Sequence, residues 1–164
     1  MFRSVQSRLV GMSLLLVLVA MVLAGTFLQS SLQNYYLNSV RENLEIQGQL
    51  LVGLAERSLQ TDDRSTIQTW VQRFDTELGV SLAVLDANGV VLAASRDNVN
   101  LLGQKLQTDE ISHALVGSRG ESIARDPKRG QRQLHLALPI TQGGQVEGVV
   151  YLLAPLEKAY STLQ

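Results

Sequence analysis

Few side chains in this sequence have the type and spacing that catalysis requires. It contains two histidines, His113 and His135, and no cysteine, which excludes disulfides, cysteine zinc sites and cysteine nucleophiles. Ser95, His113 and Asp97 supply the residue types of a hydrolase triad, but no serine lies in a Gly-x-Ser-x-Gly context. Two histidines and dispersed carboxylates give no metal-ligand spacing. We therefore expect no catalytic residues, no metal and no cofactor.

Several polar side chains are suited to binding a small molecule. The candidates are Ser95, Arg96, His113, Arg125 and His135. The two arginines can offer paired hydrogen-bond donors to an anionic group. Each candidate also has an ordinary alternative: Arg96 solvated in a polar loop, His113 at a helix surface, and His135, which alternates with leucines, hydrogen-bonded on one face of a sheet.

The overall charge balance argues against nucleic acid as a partner. Fourteen basic side chains stand against fifteen acidic ones, and there is a single tryptophan, so neither a basic footprint nor a stacking platform is present. A local basic cluster surrounds one proline–glycine turn and consists of Arg125, Lys128, Arg129 and Arg132. It is suited to an anionic envelope polymer or to lipid headgroups, with a solvated hairpin tip as the alternative.

The N-terminal segment predicts a membrane anchor. No charged side chain occurs between Leu9 and Val40, and residues 9–28 are almost wholly apolar, long enough as a helix to cross a bilayer. Arg3 and Arg8 place residues 1–8 in the cytoplasm and the following chain outside the cell membrane. A cleaved signal peptide, with Gly25 as the new N-terminus, is the alternative.

Residues 29–59 continue the helical pattern outside the membrane, because no proline interrupts it. One apolar stripe, Leu37, Val40, Leu44 and Leu51, follows a three-four spacing. This stripe is suited either to packing on its own domain or to pairing two copies in a homodimer. It is too short for a coiled-coil assignment.

Residues 60–154 have the pattern of one α+β domain. A second helix with Ile67, Val71 and Phe74 on one face ends at Gly79. Residues 80–85 and 90–94 predict a β-hairpin around Gly89. A polar loop, a short helix over 109–116 and three strands near 121–125, 133–140 and 145–153 follow, which gives a five-stranded antiparallel sheet covered by the long helix. Residues 155–164, opened by Pro155, predict a last helix.

The sequence also resembles a known family in particular segments. These are the anchor helix, the Val-x-Asp-x-x-Gly-x-Val-x-Ala-x-Ser hairpin over 84–95, and the segments 100–104, 110–117, 137–140, 148–152 and 155–156. Together they resemble the N-terminal sensory part of bacterial sensor histidine kinases, most similar to the cell-wall and phosphate-responsive kinases of Gram-positive bacteria. The hairpin is typical of extracytoplasmic PAS-like (Cache) domains in general.

The resemblance implies an extracytoplasmic sensing module of a two-component sensor histidine kinase. It also implies that residues 155–164 begin the approach to a second membrane helix, and that a ligand binds between the sheet and residues 95–116. The catalytic part of such kinases is absent from this sequence, so we expect a fragment or a truncated product. A chemoreceptor, a diguanylate cyclase or an anchored or secreted envelope scaffold protein are the alternatives for the whole protein.

Overall fold

The computed structural model describes residues 3–60, 64–127 and 129–156. Its elements, in chain order, are α1 (Arg3–Gln60), α2 (Arg64–Leu78), β1 (Ser81–Asp86), β2 (Val91–Ala94), a 3₁₀ helix (Arg96–Leu101), α3 (Asp109–Leu115), β3 (Gly120–Arg125), β4 (Arg132–Gln142) and β5 (Gln145–Pro155). The chain divides into two compact units, and the division falls between Ser39 and Val40.

The first unit consists of the N-terminal part of α1. The apolar side chains that the structure describes between Met12 and Leu23 are exposed. Over the described residues, no helix combines the length and apolar character that a membrane crossing requires. The anchor over residues 9–28 stays a prediction.

The second unit contains a five-stranded antiparallel sheet in the order β2-β1-β5-β4-β3. This confirms the predicted α+β class and the strand number. The first hairpin turns where expected: Oδ1 of Asp86 accepts hydrogen bonds from the backbone N–H groups of Asn88 and Val90 at 2.8 and 2.9 Å. Gly89 adopts a φ of 80°, which residues with a Cβ rarely tolerate.

One face of the sheet packs against the later part of α1. Leu44, Leu51 and Ala55 are buried along one side of this helix. Gly48 lies on the same side, against Leu138 of β4 and Leu152 of β5. Two members of the predicted dimer stripe, Leu44 and Leu51, therefore pack within their own domain. The other two, Leu37 and Val40, are half-buried, whereas Ile46 and Leu50 of the same helix are exposed.

The opposite face of the sheet packs against α3. Ile111 and Ala114 of this helix join one buried cluster with sheet residues that include Leu85, Val149 and Tyr151. Alternation along the strands produces this division, since successive side chains point to opposite faces. Both faces of the central strands are thus covered. The sequence predicted the cover by the long helix α1 on one of these faces.

Two segments differ from the sequence-based expectation. Residues 96–101 form a 3₁₀ helix rather than an open loop. Strand β5 continues through Pro155, which pairs with Gln133, so Pro155 ends a strand instead of opening a helix. A proline is tolerated at this position because β4 begins at Arg132, one residue before Gln133, so the pair lies at the end of the ladder. The rest of the helix predicted over 155–164, residues 157–164, lies outside the described residues.

The contact between α3 and β3 yields a stability prediction. A Cβ placed on Gly120 would overlap the backbone carbonyl of Glu110, and backbone atoms cannot move aside cheaply. We expect Gly120→Ala to lower the free energy of unfolding by about 1–3 kcal/mol, measured by urea denaturation. Gly53→Ala is the matched control, since open space surrounds Gly53 in its helix, and it should stabilise by about 0.5–1 kcal/mol. Equal stability of the two variants would contradict this account of the contact.

Candidate ligand-binding site

A cavity of about 300 Å³ opens at one end of the sheet. The 3₁₀ helix lines one side, the end of β3 and the β3–β4 turn line another, and β1, β4 and β5 form the floor. Its lining residues are mostly polar or charged, with three apolar exceptions: Ser81, Asp97, Asn98, Asn100, Leu101, Arg125, Asp126, Pro127, Arg129, Gln133, His135 and Leu153. Small-molecule sites are usually lined mostly by apolar side chains with a few polar groups, so the lining of this cavity is more polar than usual.

The charges around the cavity are partly matched. Nη2 of Arg129 lies 3.1 Å from Oδ2 of Asp97 and bridges the β3–β4 turn to the 3₁₀ helix. Both side chains are more than half exposed, so this pair contributes at most about 1 kcal/mol. Nε2 of Gln133 donates to Oδ2 of Asp126 at 3.3 Å. Arg125 lies on the same wall, and its side chain has no hydrogen bond or ion pair to a described residue.

A buried polar cluster lies beside the cavity and consists of Glu110, His135 and Tyr151. The hydroxyl of Tyr151 lies 2.9 Å from Oε1 of Glu110 and 2.8 Å from Nδ1 of His135, and that Nδ1 is 3.3 Å from the same carboxylate oxygen. The side chain of Glu110 is 5% exposed and that of His135 is 15% exposed. His135 belongs both to this cluster and to the cavity wall.

Strand register and helix position bring the cluster together. In the β4–β5 ladder Ala137 pairs with Tyr151 and His135 pairs with Leu153, so the two rings are diagonal neighbours on one face. Their centroids are 5.8 Å apart and their planes are nearly perpendicular. Glu110 is the second residue of α3, the helix that covers this same face.

The proton positions follow from the chemistry of the three groups. Burial alone would raise the pKa of Glu110, but hydrogen bonds from its own backbone N–H and from Tyr151, Thr108 and His135 outweigh it and lower the pKa. Burial, together with the charge of Glu110, raises the pKa of Tyr151 far above its ordinary value. An ionised carboxylate only accepts hydrogen bonds, so the hydroxyl of Tyr151 donates to Glu110.

The tautomer of His135 is then determined. A hydroxyl has one proton, and the hydroxyl of Tyr151 has already directed it to Glu110. The short contact between Nδ1 of His135 and the tyrosine oxygen therefore requires a proton on Nδ1. In the neutral ring Nε2 is left with a lone pair, and Nε2 is buried with no hydrogen-bond partner among the described residues.

The structure brings two of the five predicted site residues together and places three elsewhere. Arg125 and His135 both line the cavity, whereas Ser95, Arg96 and His113 do not. Oγ of Ser95 is buried and accepts from the backbone N–H of Leu82, which joins β1 to the segment after β2. Arg96 donates to Oγ1 of Thr76 on α2 at 2.6 Å. His113 is exposed on α3.

Sequence reasoning missed Glu110, Tyr151 and Asp97 as site-forming residues. A carboxylate at the start of a helix is common because it favours the helix dipole, so Glu110 carried no distinctive signal. Tyr151 stands in an apolar strand, where a hydroxyl needs a partner, and this was the available clue. Among the described residues, no three His, Asp or Glu side chains come together as a metal site.

The buried carboxylate yields a pH prediction. A carboxyl whose pKa is lowered by folding adds stability above its unfolded pKa, and this stability is lost as the pH falls through the folded value. Glu110→Gln should lower the free energy of unfolding at pH 7 by about 1–3 kcal/mol and flatten its loss below about pH 4.5. Urea unfolding between pH 7 and pH 3 measures both effects.

The exposed Glu147, on β5, supplies the control. Glu147→Gln should keep the acid-side slope of the wild type. If Glu110→Gln keeps that slope as well, the carboxylate does not stabilise the fold in its ionised form.

Comparison with curated proteins identifies relatives among sensor kinases. The chain is 24% identical, over 98% of its length, to the sensor protein kinase WalK of Staphylococcus haemolyticus. The match spans 28% of that relative, so the chain corresponds to little more than a quarter of it.

Solved structures with the same fold are also sensor domains. The sensor domain of the Vibrio cholerae histidine kinase DctB has a TM-score of 0.62 at 14% identity, covering 76% of this chain and 52% of that one. The ligand-binding domain of the Campylobacter jejuni chemoreceptor Tlp3, in complex with 4-methylisoleucine, has a TM-score of 0.63 at 15% identity. It covers 78% of this chain and 57% of that domain. At these identities the likeness concerns the fold alone.

Residues 66–154 match the Cache_WalK family, the Cache domain of the WalK sensor protein kinase. The match spans more than half of the chain, includes β1 to β5 up to Ala154, and contains the whole cavity wall and the buried cluster. The sensing-module function predicted from the sequence is thereby confirmed, and the chain belongs to the family of WalK sensor-kinase Cache domains.

Proposed function

We infer that this domain senses a small molecule in the cavity between the 3₁₀ helix and the sheet. The observation that carries this proposal is the cavity itself, with Arg125 and His135 both in its wall and Arg125 without a described partner. Such a wall combines a charged anchor with apolar surface, which is how small-ligand sites obtain orientation and affinity together. The Tlp3 domain, solved with 4-methylisoleucine, supports the capacity of this fold to hold a small molecule.

A route for the signal runs along β3 to α1. Arg125 lines the cavity at the end of β3, and Glu121 near its start binds α1 through Arg41, whose Nε donates to it at 2.6 Å. Arg119, just before β3, pairs with both Glu121 and Glu45 of α1 at 2.7 and 2.6 Å. A ligand that displaces β3 changes these contacts, and a ligand controls an equilibrium only through such a difference between states.

The proposed placement in the cell follows the charge pattern of the sequence. Residues 1–8 lie in the cytoplasm, residues 9–28 cross the plasma membrane, and residues 29–59 lead outward to the sensor domain at 60–154, with 155–164 leading back. Arg3 and Arg8 before a charge-free apolar run support this orientation. In the whole protein the output is a histidine kinase, as the WalK relatives suggest.

Two copies side by side are the proposed signalling unit. Because Leu44 and Leu51 pack within their own domain, pairing along the later part of α1 has to use its exposed side. Ile46 and Leu50 are 57% and 69% exposed there. These two residues therefore replace the buried leucines in the proposed contact.

A cavity-filling variant tests the proposed function. The exposed Asn100 lines the cavity, whereas its exposed neighbour Val99 does not. We expect a panel of anionic, cationic, zwitterionic and neutral small molecules to contain compounds that raise the melting temperature of the wild-type chain. Binding to the native state stabilises it in proportion to the logarithm of ligand concentration. Asn100→Trp should abolish these shifts, and Val99→Trp should retain them.

Two results would contradict the proposal. One is a wild-type chain that no compound in the panel stabilises. The other is a stabilisation that survives in Asn100→Trp as fully as in Val99→Trp, because the bound molecule would then lie outside the cavity.

A further inference from the structure

We propose that the outer edge of β3 is a docking site for an extended acidic segment of a partner protein. The segment pairs with β3 as a further strand of the sheet, and one of its carboxylates binds Arg125 and Arg132. The proposal does not depend on a ligand in the cavity. Two observations carry it: a strand edge without a partner, and two adjacent arginines without a matching anion.

The two edges of the sheet differ in how their backbone groups are satisfied. β2 and β3 are the outer strands. On β2, the side-chain amide of Gln68 donates to the C=O of Ala94 and accepts from its N–H, at 2.9 and 3.1 Å. The N–H and C=O of Val91 bond to the backbone of Gln104 and Gly103, at 3.0 and 2.9 Å. The chain thus covers the β2 edge with its own groups.

The ladder between β3 and β4 determines which groups of β3 point outward. The N–H of Asp126 donates to the C=O of Gln131 at 2.8 Å, one step beyond the ladder pair of Arg125 and Arg132. Because hydrogen-bonded and non-hydrogen-bonded pairs alternate in an antiparallel ladder, the N–H and C=O of Arg125 point away from β4. The outward groups therefore belong to every second residue of β3: Glu121, Ile123 and Arg125.

The β3 edge is open along this row of groups. Among the described residues, no backbone hydrogen bond reaches them from outside the β4 ladder. The pairing of β3 with β4 has no bulge, and residues 123–125 are exposed. A regular, unpaired edge of this kind is a template for another strand, and extended peptides bind to such edges through main-chain hydrogen bonds.

Two arginines at the end of β3 indicate the charge of the partner. Arg125 and Arg132 are directly opposite each other, an arrangement in which like charges destabilise a strand pair. Both side chains are exposed, and neither has a hydrogen bond or an ion pair to a described residue. The neighbouring Asp97 already binds Arg129, and Asp126 accepts from a glutamine amide. A carboxylate on the added strand relieves the repulsion between the two arginines.

A second copy of β3 matches this edge less well than an acidic segment does. Antiparallel pairing with Ile123 opposite its own copy places Arg125 opposite Glu121. That carboxylate already binds Arg41 and Arg119, so it adds little for a further arginine. A register that brings the two copies of Arg125 together repels. Lipid headgroups and other polyanions supply charge, but they do not pair with a row of alternating N–H and C=O groups.

Proline variants test whether the edge is free. Ile123→Pro removes an outward N–H, and proline is tolerated where the N–H of an edge strand faces solvent. Ser122→Pro is the matched variant, because its N–H points to β4 and its loss breaks the ladder. We expect Ser122→Pro to lower the melting temperature clearly more than Ile123→Pro does. An equal loss in both variants would overturn the assignment of the outward groups.

Three heptapeptides test the occupant on the purified 164-residue chain. The first is acetyl-Thr-Glu-Thr-Val-Thr-Gln-Thr-amide, whose glutamate, valine and glutamine lie opposite Arg125, Ile123 and Glu121 in an antiparallel pairing. The second has lysine in place of glutamate. The third is the first peptide with N-methyl groups on its glutamate and valine, which removes two N–H donors and keeps the charge.

The expected result is binding that needs both the charge and the backbone donors. In ¹H–¹⁵N NMR titrations, the glutamate peptide should shift the amide signals of Glu121, Ile123 and Arg125. It should bind about fivefold or more tightly than the lysine peptide, the size of one cross-strand charge pair. The N-methylated peptide should not bind.

Matched variants assign the charge contact. Arg132→Gln should remove most of the preference for the glutamate peptide. Arg132 does not line the cavity, so this loss is separate from ligand binding there. Arg73→Gln makes the same change at an exposed arginine of α2 and should keep the preference. Ile123→Pro, if folded, should abolish binding of the glutamate peptide.

Several outcomes would overturn the proposal. Failure of the glutamate peptide to bind, equal binding of the lysine peptide, or unchanged binding in Ile123→Pro excludes an acidic strand at this edge. Binding of the N-methylated peptide, together with binding of long-chain polyphosphate, would assign the arginines to a polyanion instead. Self-association of the chain that Ile123→Pro abolishes would assign the edge to a second copy. None of these results decides whether the cavity binds a small molecule, so the proposed function is tested separately.

Discussion

Burial of β5 on both faces is the constraint on which the rest of the domain depends. Residues 148–152 of this strand are all buried, and their side chains alternate between the two faces of the sheet. Two separate covers are therefore required, and α1 and α3 provide them. The single hydroxyl in this run, on Tyr151, needs a hydrogen-bond acceptor, and Glu110 at the start of α3 supplies it. α3 thus packs its apolar side chains against the sheet and also supplies the hydrogen-bond acceptor that the hydroxyl of Tyr151 needs.

The cavity lies beside the buried cluster, where the 3₁₀ helix and the β3–β4 turn replace α3 as neighbours of the sheet. His135 stands at this boundary: one ring nitrogen belongs to the buried cluster and the ring also forms part of the cavity wall. Because Tyr151 and Glu110 hold a proton on Nδ1 of His135, the hydrogen-bonding role of this ring is fixed by the buried cluster.

Local signals allowed much of the fold to be predicted, and long-range pairings were out of reach. Asp86 and Gly89 mark their hairpin within four residues, and Gly117 ends α3 by the same kind of local rule. Glu110 and Tyr151 are 41 residues apart in the sequence. They come into contact only because α3 packs on the face of β5 that carries Tyr151. Arg125 and His135 were candidates because of their residue types, while strand alternation indicated a hydrogen-bonded structural histidine at 135. Ser95 and Arg96 are of equally suitable types but form hydrogen bonds within the fold.

The contacts between α1 and β3 have a consequence for the medium around the domain. Arg41, Glu45, Arg119 and Glu121 are each between about a fifth and two fifths exposed, so water and dissolved ions reach them. Mobile ions screen such charges, with a Debye length of about 8 Å at physiological ionic strength and about 3 Å at 1 M. The ion pairs that join β3 to α1 are therefore stronger at low ionic strength and weaker at high ionic strength.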